Sequence, residues 1–287
     1  MIFRKRGKLL DDEKWSYDGD SVEVVDQFNY LGIVLHFTCK FSHAIKCISE
    51  QGRKACFAMK KSSKPLFLNQ SSLLALFDTY VASVLFYGCE IWGFQKADLI
   101  EKIHLDFCKN FLKVKGCTSN IMIYFELGRY PLVHERTYRM MKYWFKLIKT
   151  DNCIMSTMYS EMKSSCKTFQ ELGLGYIWDN QDHLVESTMY YLSLIKQRIF
   201  DQALQNLYHQ LNTSVKCGNL YRYLVEDLKT QQYLVKPIPD IYKTCITKLR
   251  LSSHILAIET GRYKKISRPN GIHPVKLQLF QEQYSLC

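Results

Sequence analysis

The sequence contains one adjacent pair of aspartates, Asp11 and Asp12, whose carboxylates could hold metal ions. Enzymes that add nucleotides hold two divalent cations with aspartates that follow an aromatic residue in a strand–turn–strand segment. Leu9 and Leu10 precede this pair, and a Glu-Lys dipeptide follows it, so an exposed charged turn fits better than a metal site. Among the other acidic residues, the one Asp-x-Asp is Asp18-Gly19-Asp20, which lies in a predicted hairpin turn. We therefore predict no catalytic residue and no metal ligand in the chain.

Nucleophile and phosphate-binding motifs are also missing from the sequence. It contains no Gly-x-Ser-x-Gly, no Gly-x-x-x-x-Gly-Lys and no His-Glu-x-x-His, which are the patterns that position a serine nucleophile, a bound triphosphate and a catalytic zinc. The 8 histidines are isolated from one another. His104 lies on a predicted helix with Ile103 and Phe107, where a structural role fits better than that of a general base.

Positive charge is the strongest chemical signal of the sequence. The chain of 287 residues has a net charge of +12, from 39 basic and 27 acidic residues. Residues 241–287 carry 8 basic and 2 acidic residues, whereas residues 151–240 carry 8 basic and 10 acidic residues. An excess confined to the first half and the tail favours a polyanionic partner, most simply RNA or DNA, and plain solubility is the other interpretation. We expect no membrane partner.

The first predicted helix, over residues 41–61, has an apolar side formed by Ile45, Gly52 and Met59. Its basic residues fall largely on the opposite side: Lys46, Arg53, Lys54, Lys60 and Lys61. A helix that packs on one side and is basic on the other can lie along a phosphate backbone. A solvated surface with no partner is the other interpretation, because surface helices are commonly rich in lysine.

The tail repeats this pattern with interleaved aromatic residues. Between residues 243 and 268 seven basic residues face one acid, Glu259, and Tyr242 and Tyr263 stand among them as base-stacking residues do. The basic residues are Lys243, Lys248, Arg250, Arg262, Lys264, Lys265 and Arg268. A terminus that only promotes solubility is the alternative.

Cysteine usage indicates a reducing compartment, the cytoplasm or the nucleus. There are 11 cysteines, an odd number, with no Cys-x-x-Cys pair, which argues against a disulfide framework and a zinc ribbon. Met1 is followed by a basic stretch and not by an apolar one, so we expect no signal peptide. Charged and glycine residues interrupt the most apolar stretch, residues 73–94, so we expect no membrane span.

The elements that must position these residues are mostly helical. Short alternating runs at Trp15–Tyr17 and Val22–Val25, joined by an Asp-Gly turn, predict a hairpin, and residues 28–35 predict one further strand that contains Gly32. We then expect a helix from Phe41, a second from Ser71 or Ser72 to Gly88, and others over residues 99–116, 119–128, 132–148, 184–211, 220–233 and 241–258. The predicted fold class is mainly α, with bundle-like helices and a small antiparallel β element at the N-terminus. We place its boundaries to give segments 1–37, 38–150 and 151–287.

Three segments together resemble non-LTR (LINE-type) retrotransposon reverse transcriptases. Residues 28–33, Phe-Asn-Tyr-Leu-Gly-Ile, resemble the primer-grip turn. Residues 87–94, then 104–109, 126–132 and 143–144 look like the helical region that follows. Residues 249–263 are similar to the stretch before the C-terminal cysteine-rich knuckle. The resemblance implies the last palm strands, a thumb and a helical linker, with Tyr30, Leu31 and Gly32 at a primer strand, where glycine allows a close backbone approach.

The resemblance also implies which functions the chain does not perform alone. The metal-binding aspartates of such enzymes lie upstream of the segment matched by residues 1–6, so we expect a catalytically incomplete fragment whose Mg²⁺ belongs to an upstream palm, and no N-terminal endonuclease. The knuckle is replaced by Gly-Ile-His-Pro-Val-Lys at residues 271–276, where His273 retains a possible ligand but Lys276 replaces a thiolate, so we expect no zinc. The expected partners are RNA and DNA, bound nonspecifically, and an upstream polymerase chain. A helical protein-interaction module with no nucleic-acid role is the alternative.

Overall fold

The computed structural model describes residues 14–38, 40–66, 68–148, 163–179, 188–214, 217 and 219–253. Within these residues the chain is mainly helical and begins with two small antiparallel hairpins. The predicted fold class is therefore confirmed.

The two hairpins differ from the prediction in two respects. Strands β1 (Trp15–Tyr17) and β2 (Asp20–Val22) form the predicted hairpin, but β2 covers residues 20–22 and not the predicted 22–25. The single strand predicted over residues 28–35 is wrong, because it folds back on itself as β3 (Gln27–Tyr30) and β4 (Ile33–His36). Leu31 and Gly32 have φ angles of 49° and 82°, and two successive residues with positive φ make the tight turn that matches the twist of paired strands.

The helices between residues 42 and 148 follow the predicted order. Asn69, and neither of the predicted serines, caps the second helix: its Oδ1 accepts a hydrogen bond from the Ser72 backbone N–H at 2.8 Å. The elements are α1 (Ser42–Ser63), α2 (Gln70–Leu76), a π-helical turn (Phe77–Val81), α3 (Ala82–Leu85), α4 (Cys89–Trp92), α5 (Asp98–Phe111), α6 (Asn120–Leu127) and α7 (Leu132–Ile148).

The second half contains one long helix and several short ones. They are α8 (Lys163–Glu171), α9 (Gly175–Asp179), α10 (Thr188–Thr213), α11 (Asn219–Leu224), α12 (Gln232–Val235) and α13 (Asp240–Arg250). The continuous helix predicted over residues 220–233 is wrong. Between α11 and α12 the chain leaves the helix, and Thr230 forms an antiparallel bridge with Leu127 at the end of α6.

Two hydrophobic clusters form the core. The first joins α1, α3, α5 and α6 to the second half of α10 and to α11 and α12, with Trp92 and Phe125 fully buried. The second joins α7 to α8, α9 and the first half of α10, around Trp144 and Phe169. Each cluster takes residues from both sides of residue 150. The predicted boundary itself falls in residues 149–162, which lie outside the described residues.

No helix among the described residues has the length and hydrophobicity needed to cross a bilayer. The cysteines that the structure describes are all free thiols. Cys56, Cys89, Cys108 and Cys217 are buried, and burial raises the pKa of the Cys89 thiol to about 12, with a further contribution from Glu90. These thiols therefore pack as small apolar groups.

Candidate nucleic-acid interface

One side of α1 is fixed against the rest of the protein. Ile45, Ile48, Cys56 and Met59 are buried in the first cluster, where α1 packs on α3 and α5. The helix approaches α3 closely at Gly52, because a Cβ there would overlap the buried side chain of Leu85. This packing sets the rotation of α1 about its axis and hence which residues face solvent.

The other side of α1 is basic and exposed, as predicted. At about 100° per residue, its five basic residues fall within an arc of about 120° and extend over about 22 Å. Glu50 is the one acidic residue of the helix. We call this surface the α1 basic face: Lys46, Arg53, Lys54, Lys60 and Lys61, all exposed. Its length equals about six base-pair steps along a duplex strand.

Two further exposed residues, which the sequence analysis missed, lie beside the α1 basic face. Phe57 lies four residues after Arg53 and three before Lys60, and its side chain is 71% exposed. Lys64 continues the same face into the helical turn after α1 and is also exposed. The helical spacing places both residues within the arc that holds the five basic residues, so a plot of all positions around the helix would have found them. An exposed aromatic ring among lysines offers a stacking surface for a sugar or a base.

The β3–β4 turn, which carries Tyr30, Leu31 and Gly32, is exposed and held by a single aromatic residue. The Tyr87 hydroxyl donates to the Leu31 carbonyl at 2.5 Å. A Cβ on Gly32 would come within 3.3 Å of the Tyr87 ring, so the close approach that glycine allows here is to a side chain of the protein itself. The turn therefore has a defined position beside α3.

A groove of about 460 Å³ joins this hairpin to the start of α1. Gln27 and Asn29 of β3 line one wall, and His43 and Lys46 of α1 line the other. The structure thus brings the hairpin and the first residue of the α1 basic face to one surface. Lys60 and Lys61 lie at the opposite end of the helix.

Three of the predicted basic tail residues, Lys243, Lys248 and Arg250, lie within the described residues, and Arg250 points into the protein. Its Nε–H donates to Glu126 Oε1 at 2.8 Å, and the carboxylate of Glu126 is fully buried. The hydroxyls of Tyr221 and Tyr233 donate to the same carboxylate at 2.8 and 2.5 Å. Burial first, and then the charge of Glu126, raise the pKa of both tyrosines. Arg250 therefore does not join the α1 basic face, and Arg262, Lys264, Lys265 and Arg268 lie outside the described residues.

His104 belongs to a second internal polar network. Its ring is fully buried, Nδ1 lies 3.3 Å from Glu101 Oε1, and Nε2 accepts a hydrogen bond from Arg129 at 3.1 Å. With Nε2 accepting from Arg129, the hydrogen on Nδ1 points to Glu101. Arg129 also pairs with Asp78. With no exposed ring atom, His104 is a structural residue, as the sequence analysis predicted.

A search for groups of histidine, cysteine, aspartate and glutamate that could hold a metal ion finds none among the described residues. Asp11, Asp12 and His273 lie outside them. The predictions about Mg²⁺ and zinc therefore stay predictions.

Comparison of the chain with protein-family models, with curated proteins and with solved structures finds no match. The resemblance to LINE-type reverse transcriptases thus depends on the residues quoted above.

Proposed function

We propose that this chain binds RNA and DNA nonspecifically through the α1 basic face, in the manner expected of the thumb of a LINE-type reverse transcriptase, and that it does not itself add nucleotides. The β3–β4 turn, with Tyr30, Leu31 and Gly32, would contact the strand that passes the start of α1. The partner is a duplex or a single strand, held by its phosphates and sugars.

One observation carries the proposal: five exposed basic residues and one acid share one side of a helix whose other side is buried. A helix packed in this way does not rotate, so the charges stay aligned over about 22 Å. Phosphates repeat about every 3.4 Å of axial rise on a strand, which makes contact with about five of them geometrically feasible. Because such contacts read no base edges, the binding would be independent of sequence.

Salt dependence of binding to a short RNA–DNA duplex tests this proposal. About five phosphate contacts predict a slope of about −4.5 for log affinity against log salt, or a loss of about 500-fold between 50 and 200 mM salt. Lys46→Ala and Arg53→Ala should each reduce the slope by about 0.9. Lys142→Ala is the matched control, since Lys142 is exposed on α7 outside the α1 basic face.

Two results of this measurement would overturn the proposal. One is a lack of binding at low salt, which would favour the helical protein-interaction module. The other is a slope that Lys142→Ala changes as much as Arg53→Ala does, because charge in general and not the α1 basic face would then be responsible.

Primer extension tests the second part of the proposal. With Mg²⁺, a primed template and deoxynucleotides, we expect binding of the template–primer duplex without synthesis. Synthesis that disappears when Asp11 and Asp12 are both changed to Asn would refute the proposal, because these aspartates would then be metal ligands.

A further inference from the structure

A cleft of about 850 Å³ opens beyond the far end of the α1 basic face. Its walls are the last turns of α1 and α5, the start of α2 and one side of α13. This volume is within the usual range for sites that bind small ligands. We call it the lysine cleft, because four lysines and one carboxylate line it: Lys60, Lys64, Lys113, Lys243 and Asp240.

Lys243 is the buried lysine of this cleft. Lys243 is 9% exposed, and its ammonium donates one hydrogen bond, to the Leu234 carbonyl at 2.9 Å. Among the described residues it has no carboxylate partner. An ammonium has three donors and is costly to bury without an opposite charge. Lys243 therefore retains the capacity to bind an anion that enters the cleft.

Gln70 gives an independent sign of a ligand. Gln70 lines this cleft and a smaller neighbouring one beside α12, and its side-chain oxygen is buried with no hydrogen-bond partner among the described residues. An unpaired buried acceptor is destabilising, because it has lost its hydrogen bond to water without gaining another. Gln70 is half-buried, and a rotation of its side chain would bring the oxygen to the cleft. A ligand with an N–H or O–H donor and an anionic group would then satisfy both Gln70 and Lys243.

The rest of the lining describes the shape and charge of that ligand. Lys64 and Lys113 are exposed, whereas Asp240 is the one carboxylate in the lining. The entrance of the cleft therefore has a net positive charge. The rings of Phe107 and Phe111 provide apolar wall, and Lys60 Nζ lies 5.8 Å from the centre of the Phe107 ring. An anion that carries a flat, hydrogen-bonding ring would match this lining.

We propose that the lysine cleft binds one nucleotide, with its phosphate at the lysines and its base or sugar donating to Gln70. The nucleotide is either a free nucleoside phosphate or the unpaired terminal nucleotide of a strand on the α1 basic face, since both have the same chemistry. Binding of a free nucleotide does not depend on the proposed function, whereas capture of a strand end does.

Calorimetric titration of the full chain with AMP and with inorganic phosphate tests the cleft directly. At low salt AMP should bind with a Kd below about 1 mM, and Gln70→Leu and Lys113→Ala should each raise that Kd about tenfold. Lys243→Met should also weaken AMP binding, yet leave the urea midpoint of the free protein unchanged or higher, because it removes a buried charge that has no partner carboxylate. Lys142→Ala should match the wild type.

A second experiment distinguishes a free nucleotide from a strand end as the ligand of the cleft. It compares the binding of a blunt duplex with that of the same duplex carrying one unpaired 3′ nucleotide. Tighter binding of the second duplex, lost in Gln70→Leu, assigns the cleft to strand ends. Equal binding of both duplexes together with AMP binding assigns it to free nucleotides.

The proposal is overturned if neither AMP nor the unpaired end is bound, if phosphate binds as tightly as AMP, or if Gln70→Leu binds like the wild type. AMP binding in a chain that fails to bind duplex would refute the proposed function and leave the lysine cleft in place. Duplex binding without AMP binding and without any preference for the unpaired 3′ nucleotide would refute the cleft alone.

Discussion

Replacing Glu126 by Gln should destabilise the protein strongly, because this carboxylate is fully buried and accepts hydrogen bonds from three partners. Glutamine keeps the size of the side chain but replaces one acceptor oxygen with a donor group. At least one of Tyr221, Tyr233 and Arg250 then faces a donor, and the half-buried guanidinium of Arg250 loses its counter-charge. Removing one member of a buried ion pair costs about 3–5 kcal/mol.

Urea unfolding followed by tryptophan fluorescence measures this loss. With an m-value of about 3 kcal/mol per M, the midpoint should fall by about 1–1.7 M. The matched control is Glu135→Gln, which breaks an ion pair with Arg139 at 3.1 Å on the surface of α7, where both side chains are more than one-third exposed. That change should cost about 0.5 kcal/mol or less.

Arg250→Met completes a double-mutant cycle with Glu126→Gln. Because the two side chains are in contact, the double variant should lose at least about 1 kcal/mol less than the sum of the single variants. Arg250→Met should also leave the salt dependence of nucleic-acid binding unchanged. The reasoning fails if Glu126→Gln lowers the free energy of unfolding by less than about 1 kcal/mol. It also fails if Arg250→Met keeps full stability and reduces the salt slope by about 0.9, because Arg250 would then bind a phosphate and not Glu126.

Three further changes test other contacts. Gly128→Ala should lower the free energy of unfolding by about 2 kcal/mol or more in urea melts, because Gly128 has a φ of 62° and a Cβ would overlap the Thr230 backbone; an unchanged midpoint would contradict this packing. Burial raises the pKa of Glu101, but hydrogen bonds from His104, Tyr124 and the Leu132 N–H outweigh it and lower the pKa below 4.5. The wild type should therefore be more stable than Glu101→Gln above about pH 4.5, and this advantage should disappear as the pH falls through the lowered pKa of Glu101. A stability difference that grows as the pH falls would refute the assignment. In alkylation followed by mass spectrometry, exposed Cys117 should react well before buried Cys89; equal rates would show that Cys89 is accessible.

Periodicity predicted the helical part of the fold because most helices bury one regular side. Helices α1 and α5 were each expected from apolar residues at three- and four-residue spacing, and Gly128 was expected to end α6. The same reasoning missed the β3–β4 turn. Residues 28–35 alternate well enough for one strand, and only the backbone conformation of Leu31 and Gly32 reveals the reversal.

The misplaced helix over residues 220–233 has a different cause. Its middle residues leave the helix to pair with the end of α6, about 100 residues earlier in the chain: Thr230 Oγ1 donates to the Leu127 carbonyl at 2.9 Å, and the Gln231 N–H donates to the Glu126 carbonyl at 3.1 Å. A local sequence pattern contains no information about such a partner.

The candidate site divides in the same way. The α1 basic face was predictable because it depends on one helix and its spacing. Arg250 was predicted as a surface contact because its neighbours in sequence are basic, whereas its position is decided by Glu126, 124 residues away in the chain. The lysine cleft was not predicted at all, since its walls come from α1, α2, α5 and α13 and meet only in the folded chain.

Helices α7 and α10 each serve both hydrophobic clusters. Leu132 of α7 and Leu207 of α10 belong to the first cluster, and Trp144 of α7 and Ile195 of α10 belong to the second. Because each of these two helices is packed in both clusters, unfolding of one cluster disrupts the other. Heating should therefore melt the molecule in a single step, and a chain cut back to residue 148 would expose both interiors at once and fail to fold.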